Sequence, residues 1–417
     1  MEIAKLVENN FTEAVNLRRY FHTHPEMTGE ELNTIAYINT YLQKLGLKTI
    51  IVEKGGLLGI LDSGKNGKTL LLRSDVDALP IEESFHNLKQ KKLCCSTVKG
   101  LSHACGHDCH MAMSLITAKI LAEHKDAWRG SAVFCFERGE ETGGNLRYLL
   151  PYIVNKSGLH IDGCYSTHVR WDIPAGKVAV MPGATMAGGF GFTIKLLGKF
   201  GHGARPDLAI NPIDCFVAIY EDLKAFRLQV DPGEWLTYSL GQLEGGHTYN
   251  IIEGNLTFGG SCRFFSMEKA GSLFQDFLLH SLEKNTALYK CKYEIPYMPD
   301  PLYPTTCDSV CESLCEKAVT KYLGPDTNIK IAPWMASETF SCYMQLFPGV
   351  HTFTGIANEA TGCGAPHHTP EFDVDESGMK SGITMALGYA LEFLNTDFKT
   401  TFQPTTELVE KLAARNV

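Results

Sequence analysis

The 417-residue chain is 44% apolar and 20% charged, a balance that excludes a disordered chain and lets it bury a large core in roughly two or three domains. Its net charge of -9 and pI near 5.9, with no cluster of interleaved basic and aromatic residues, argue against a nucleic-acid partner. The fourteen Cys have no export signal beside them and are read as reduced thiols and candidate metal ligands rather than a disulfide framework.

The opening stretch, "MEIAKLVENNFTEAVNLRRYFHTHPE", carries acidic residues in its first turns and no apolar run, so it reads as an amphipathic helix and not as a signal peptide. No segment approaches the roughly 18 to 20 apolar residues of a membrane span, and the expected compartment is the cytoplasm, with no membrane partner. A second helix is expected from about Glu30 to Leu45. "KTIIVEKGGLLGILDS" then shows β-branched runs broken by Gly. "KTLLLRSDVDALP" and "SAVFCFERGEETGGN" are apolar runs that end in acidic residues, at the strand edge where open α/β sheets bind ligands.

From about Ala187 the pattern changes to strand, helix, two strands, helix, strand. Asn211 and Pro212 form the N-cap and first turn of the first of these helices. This βαββαβ order predicts a ferredoxin-like domain, one sheet under two helices, inserted over residues 186–299. Residues 1–185 and 300–417 are then two parts of one discontinuous α/β catalytic domain.

The chemistry concentrates in "HACGHDCH". Cys105 and His107 flank a Gly in a turn before an apolar helix, so both side chains can face one point. Paired CxxC or HxxxH ligands of a structural zinc site are missing, and so is a redox CxxC; alone, the stretch leaves a metal site and a polar knot at a helix start both open. Glu140 and Glu141 follow a strand, where one of two neighbouring carboxylates can hold a metal while the other serves as base. On a solvated loop such a pair is more often plain surface charge. His168 and the pair His367 and His368 are further candidates, each equally explicable as an ordinary core or loop histidine. The series Cys307, Cys311 and Cys315 reads as small buried side chains on a helix.

Nine blocks in order, "LRRYFHTHPEMTGEE", "LLRSDVDALP", "HACGHDCH", "GEETGG", "THVRWDIPAGKVAV", "GKFGHGARPD", "NIIEGNLTFGGSCRFF", "SETF" and "HHTPEFDVDE", resemble the metal-dependent amidohydrolase and aminoacylase family. That family includes hippurate hydrolase, N-acyl amino acid deacylases, N-acetyldiaminopimelate deacetylase and auxin–amino acid conjugate hydrolases. The resemblance, from about Arg18 to Glu376, implies two divalent metal ions per subunit, zinc or manganese first, with cobalt and nickel also compatible. Their ligands would be Cys105, shared by both ions, with His107, Glu141, His168 and His368, the last preferred over His367 because Thr369 and Pro370 match the family's H-[ST]-P. Glu140 would be the general base, and Asp108 and His110 would support the ligands from behind. In the insert, His202 would stabilise the oxyanion in a neighbouring subunit's site, and Asn250 and Arg263 would hold the substrate; the insert would thus be both lid and interface of a homodimer or homotetramer.

The chain also departs from the family. Glu137, Arg138 and Gly139 replace Q-P-A before the paired Glu, Glu338, Thr339 and Phe340 replace E-D-F, and Asn250 to Glu253 replace N-V-I-P. The expected reaction is hydrolysis of N-acyl amino acids, with a preference for an unusual acyl group or amino acid. A dipeptidase or carboxypeptidase and a non-catalytic binding protein on the same fold are the alternatives. The Cys-x-His pair favours the amidohydrolase, since the peptidase branches use His-x-Asp.

Overall fold

In the computed structural model, residues 1–414 are described, and they form two compact units. The first comprises Met1–Thr185, Thr306–Ala332 and the described part of Cys342–Val417. It holds a seven-stranded sheet in the spatial order Lys48–Val52, Gly56–Asp62, Ser131–Glu137, Thr69–Asp75, Gly163–Pro174, Gly349–Ala357, Val178–Ala179. The four strands from Ser131–Glu137 to Gly349–Ala357 run parallel, and the outer ones are antiparallel. Such inner strands are buried on both faces, which explains why Ala132, Val133, Phe134, Cys135 and Phe136 form an unbroken apolar run with no exposure. Helices Ile3–Thr23, His107–Glu123 and Met379–Asn395 pack on one another beside it.

Register brings the acidic strand ends together. Asp75 pairs level with Glu137. Leu70, Leu71 and Leu72 pair with Gly163, Cys164 and Tyr165, and the same offset sets His168 level with Asp75. The loops leaving these strands therefore start from one edge, outside the carboxyl ends of the parallel strands.

The second unit comprises Met186–Thr305 and Pro333–Ser341. Its antiparallel sheet has the order Leu236–Glu244, Asn255–Phe264, Gly188–Leu197, Lys292–Tyr297. Phe190, Phe192, Ile194 and Leu196 alternate inward along one strand and meet Phe226 of helix Pro212–Phe226 and Phe274 of helix Ser272–Tyr289. The Asn211 side chain caps the first of these helices by accepting the Ile213 N–H at 3.0 Å.

The boundary differs from the expected 299. Leu302 and Gly189 exchange two backbone hydrogen bonds of 2.9 and 3.1 Å, which carries the unit to Thr305. Residues 333–341 return to it because the Ala187 N–H donates to the Trp334 carbonyl at 2.9 Å. Backbone pairing between distant segments sets both edges, and it leaves no trace in local composition.

Candidate active site

The loop after strand Thr69–Asp75, the turn after Ser131–Glu137, the edge of Gly163–Pro174 and the segment before helix Met379–Asn395 all belong to the first unit, and they converge. Cys105, His107 and His168 present ligand atoms within 4.8 Å of one another; so do Cys105, Glu141 and His368, and so do His107, Glu140 and Glu141. Cys105 Sγ lies 3.5 Å from His168 Nε2 and 3.3 Å from His368 Nε2. Glu141 Oε1 lies 3.4 Å from His368 Nε2 and 4.0 Å from His107 Nε2. Donors placed about 2.1 to 2.3 Å from a tetrahedral metal are about 3.4 to 3.8 Å apart, so these separations suit a shared cation.

Two further observations fit metal ions to these residues. Among the described residues, no well-aligned hydrogen bond satisfies the buried His107 Nε2 and Glu141 Oε1, a costly state that a cation would relieve. Burial and the adjacent Glu141 carboxylate push the Cys105 thiol well above its ordinary pKa, so the thiolate needs a positive charge that the surrounding side chains do not fully supply.

Local backbone geometry produces the convergence. Gly106, between Cys105 and His107, is left-handed at φ 89° and opens helix His107–Glu123. A Cβ there would lie 2.3 Å from Val169 Cγ2, beside His168. Gly106→Ala should therefore cost about 1–3 kcal/mol from backbone strain alone and displace His168 as well. A thermal melt and metal stoichiometry check it; wild-type values for both would refute the packing argument. The next pair, Glu140 and Glu141, sits in a 3-10 turn, Glu140–Thr142, entered through left-handed Gly139.

Second-layer contacts fix the rings. His168 Nδ1–H donates to the Val169 carbonyl at 2.6 Å, leaving Nε2 toward Cys105. His107 Nδ1 is 3.0 Å from the Asp77 carbonyl and 3.1 Å from Asp77 Oδ1. His110 accepts the Val169 N–H at Nε2 and donates from Nδ1 to Asp75 at 2.5 Å, so both its nitrogens are engaged although Asp75, His107 and His110 also cluster closely. Asp108 faces away from the ligands, 2.7 Å from Arg18 Nε and 2.8 Å from His22 Nδ1. Burial favours its neutral form, but Arg18 and His22 outweigh burial and hold it far below the usual carboxylate range. His367 is half-buried with its ring 5.3 Å from His168, whereas His368, at φ 63°, turns its Nε2 to Cys105.

The remaining candidates lie in the second unit. His202 is exposed on the short strand Gly201–His202, paired with Ile251, and Asn250 adjoins it through a 2.9 Å bond from the Gly203 N–H to the Asn250 carbonyl. Arg263 is near the far end of strand Asn255–Phe264, its Nη1 donating to the Cys262 carbonyl. Cys311 and Cys315 are buried on helix Ser309–Tyr322, and Cys307 precedes it; among the described residues the three form no metal-binding group.

Residues 71–392 match the model of peptidase family M20/M25/M40. The chain belongs to this family. Its M20/M25/M40 relatives span nearly its whole length. Thermostable carboxypeptidase 1 of Saccharolobus solfataricus is 32% identical over 95% of this chain and 100% of its own. IAA-amino acid hydrolase ILR1-like 2 of Arabidopsis thaliana is 29% identical over 94% and 88%. In fold the chain is similar to the YXEP protein of Bacillus subtilis, described as a dinuclear metal binding peptidase, with a TM-score of 0.77, 24% identity and coverage of 94% and 100%.

As an M20/M25/M40 member the chain is a hydrolase of amide bonds, and a mixed α/β fold holds its candidate site. Sequence reasoning gave no role to Asp77, which contacts both His107 and the Glu141 turn. The signal was present: Asp75 ends a strand and Asp77 lies two residues past it, close to the placement that marks Glu140 and Glu141. No helix among the described residues is long and apolar enough to cross a membrane.

Proposed function

We propose that this chain hydrolyses the amide bond of N-acyl amino acids with two divalent metal ions, held by Cys105, His107, Glu141, His168 and His368, with Cys105 shared between them. The convergence of these five side chains beside Glu140 is the observation that supports it most. The ions, when bound, supply a water of lowered pKa and polarise the substrate carbonyl. Nitrogen, oxygen and sulfur donors admit zinc or manganese first, then cobalt or nickel.

Glu140 takes the proton of the attacking water and passes it to the leaving amine. Its neighbour Glu141 points to the ligands, and the tight turn between them is what lets adjacent carboxylates serve different purposes. His202 donates to the oxyanion, a contribution of about 3 kcal/mol. Asn250 and Arg263 hold the substrate. Asn255 and Arg263 are eight residues apart on one strand, about 26 Å, so within one copy Arg263 cannot share a substrate with the His202 and Asn250 loop. This separation supports taking the loop with His202 and Asn250 from one copy and Arg263 from another, in a homodimer or larger assembly.

The carboxypeptidase reading has its own support in the name of the Saccharolobus relative. A panel of N-acetyl and N-benzoyl amino acids and dipeptides, assayed alongside metal analysis, separates the readings. Faster release from the N-acyl amino acids is expected. Preference for peptides would favour the carboxypeptidase, and no release from any substrate with metal bound would favour a binding protein.

A further inference from the structure

The family's Q-P-A before the paired glutamates is replaced here by Glu137, Arg138 and Gly139, and the structure gives the middle replacement a specific set of partners. Arg138 Nε donates to Glu31 Oε2 at 2.8 Å, and its Nη2 donates to the Gly29 carbonyl. Glu31 is fully buried. Its other oxygen, Oε1, accepts the N–H of Gly139 at 2.8 Å and that of Gly29 at 2.7 Å. One carboxylate thus joins the loop before helix Leu32–Lys44 to the first residue of the turn that carries Glu140. On the other side of Glu140, the Glu141 N–H donates to Asp77 Oδ2 at 3.0 Å. Glu140 is suspended between two backbone N–H groups, each fixed by a different buried carboxylate.

A proline at position 138 could make neither the guanidinium contacts nor the bond from the Arg138 N–H to the Gly55 carbonyl at 3.1 Å. Arg138 also decides where Glu31 points. A buried carboxylate that loses its ionic partner is strongly disfavoured and turns toward water if it can. Once Glu31 turns, the Gly139 N–H loses its acceptor, and left-handed Gly139, at φ 69°, is free to choose another conformation.

We propose that the Arg138–Glu31 pair is a positioning device for the general base, fixing the Glu140 carboxylate by holding the Gly139 N–H. Arg138 and Glu31 touch neither substrate nor ligands in this account; they act through the turn. The proposal rests on the reading of Glu140 as base, and its test must tell the two apart.

The test uses the full, metal-loaded chain and the best substrate of the panel, with kcat, KM, metal stoichiometry and Tm measured for Arg138→Met, Arg138→Lys, Glu31→Gln, Arg138→Met with Glu31→Gln, and Glu140→Gln. Arg138→Met should lower kcat by about 10- to 100-fold, the loss typical of a reacting group displaced by about 1 Å, with KM and metal content close to wild type. Arg138→Lys should recover part of it, since an ammonium reaches Glu31 Oε2 or the Gly29 carbonyl but not both in the same geometry. The double variant should lose little beyond the worse single, because both act on one turn. A fall in Tm with kcat per metal-loaded molecule unchanged in Arg138→Met would leave the pair a structural role only and overturn the proposal. Wild-type kcat in Glu140→Gln would overturn the reading of the base, and the proposal with it; an inactive Glu140→Gln beside a fully active Arg138→Met would overturn the positioning alone.

Discussion

Glu140→Gln is expected to reduce kcat by about 10²- to 10⁴-fold while the protein still binds its full complement of metal. The substitution keeps shape and hydrogen-bonding reach and removes only the ability to take a proton, so a change in fold is not expected. The expectation on metal content is the sharper half, because His107, Glu140 and Glu141 all present ligand atoms within 4.8 Å of one another, and geometry alone would let either glutamate bind a cation. What separates them is company: Glu141 Oε1 also lies 3.4 Å from His368 Nε2, in the group that contains Cys105, whereas among the described residues Glu140 groups only with His107 and Glu141. Glu141→Gln should accordingly lose metal and, through that, activity. Elemental analysis of both proteins after dialysis, beside their kcat values, checks the assignment. A metal-depleted Glu140→Gln with a metal-replete Glu141→Gln would exchange the two roles.

The sequence carried the position of this site in a simple way. Apolar runs such as Leu70–Leu72 and Ala132–Phe136 could only be inner strands, and acidic residues immediately after them had to lie at the sheet edge. The Thr369 and Pro370 that follow His368 distinguish it from His367, and the two side chains do differ, one with its ring beside His168 and the other turned to Cys105. Periodicity and motif spacing say which face a residue occupies, but they are silent on which distant segment it bonds to. Glu31 binding Gly139 across 108 positions, or Asp77 binding Glu141 across 64, leaves no pattern in either local stretch. The same limit explains the second unit's edges, where Leu302 and Trp334 are recruited by backbone pairing. The sequence marks Asp108 and His110 as supports but names no partners for them, which only the fold supplies: Arg18 and His22 for the first, Asp75 and the Val169 N–H for the second.

Asp77→Ala should be the most damaging change among residues that touch no metal ligand atom directly. Its carboxylate is fully buried and serves three donors: His107 Nδ1 at 3.1 Å, the Glu141 N–H at 3.0 Å and the Thr28 hydroxyl at 2.6 Å. Burial favours the neutral acid, yet the His107 contact outweighs it and holds Asp77 below the usual carboxylate range. Removing the side chain does not strip His107 completely, because the Asp77 main-chain carbonyl still lies 3.0 Å from Nδ1 and preserves the tautomer that leaves Nε2 facing the ligands. The loss falls instead on the Glu141 turn and on the ring's tilt. Two ligands of one centre are loosened together, so metal affinity should drop by about 10- to 100-fold. The Thr28 hydroxyl and Glu141 N–H, left without their charged acceptor, should cost about 1–3 kcal/mol each in stability. Activity after dialysis should therefore collapse and return toward wild type when metal is added in excess, since Glu140 keeps its tie to Glu31 through Gly139. Titration of the metal-free protein with the working metal, followed by kcat at saturation, measures both parts. Wild-type affinity in Asp77→Ala would mean that Cys105, His168 and His368 set the affinity alone and that the Asp77 contacts serve folding only; low kcat that excess metal does not restore would place Asp77 with the base rather than with the ligands.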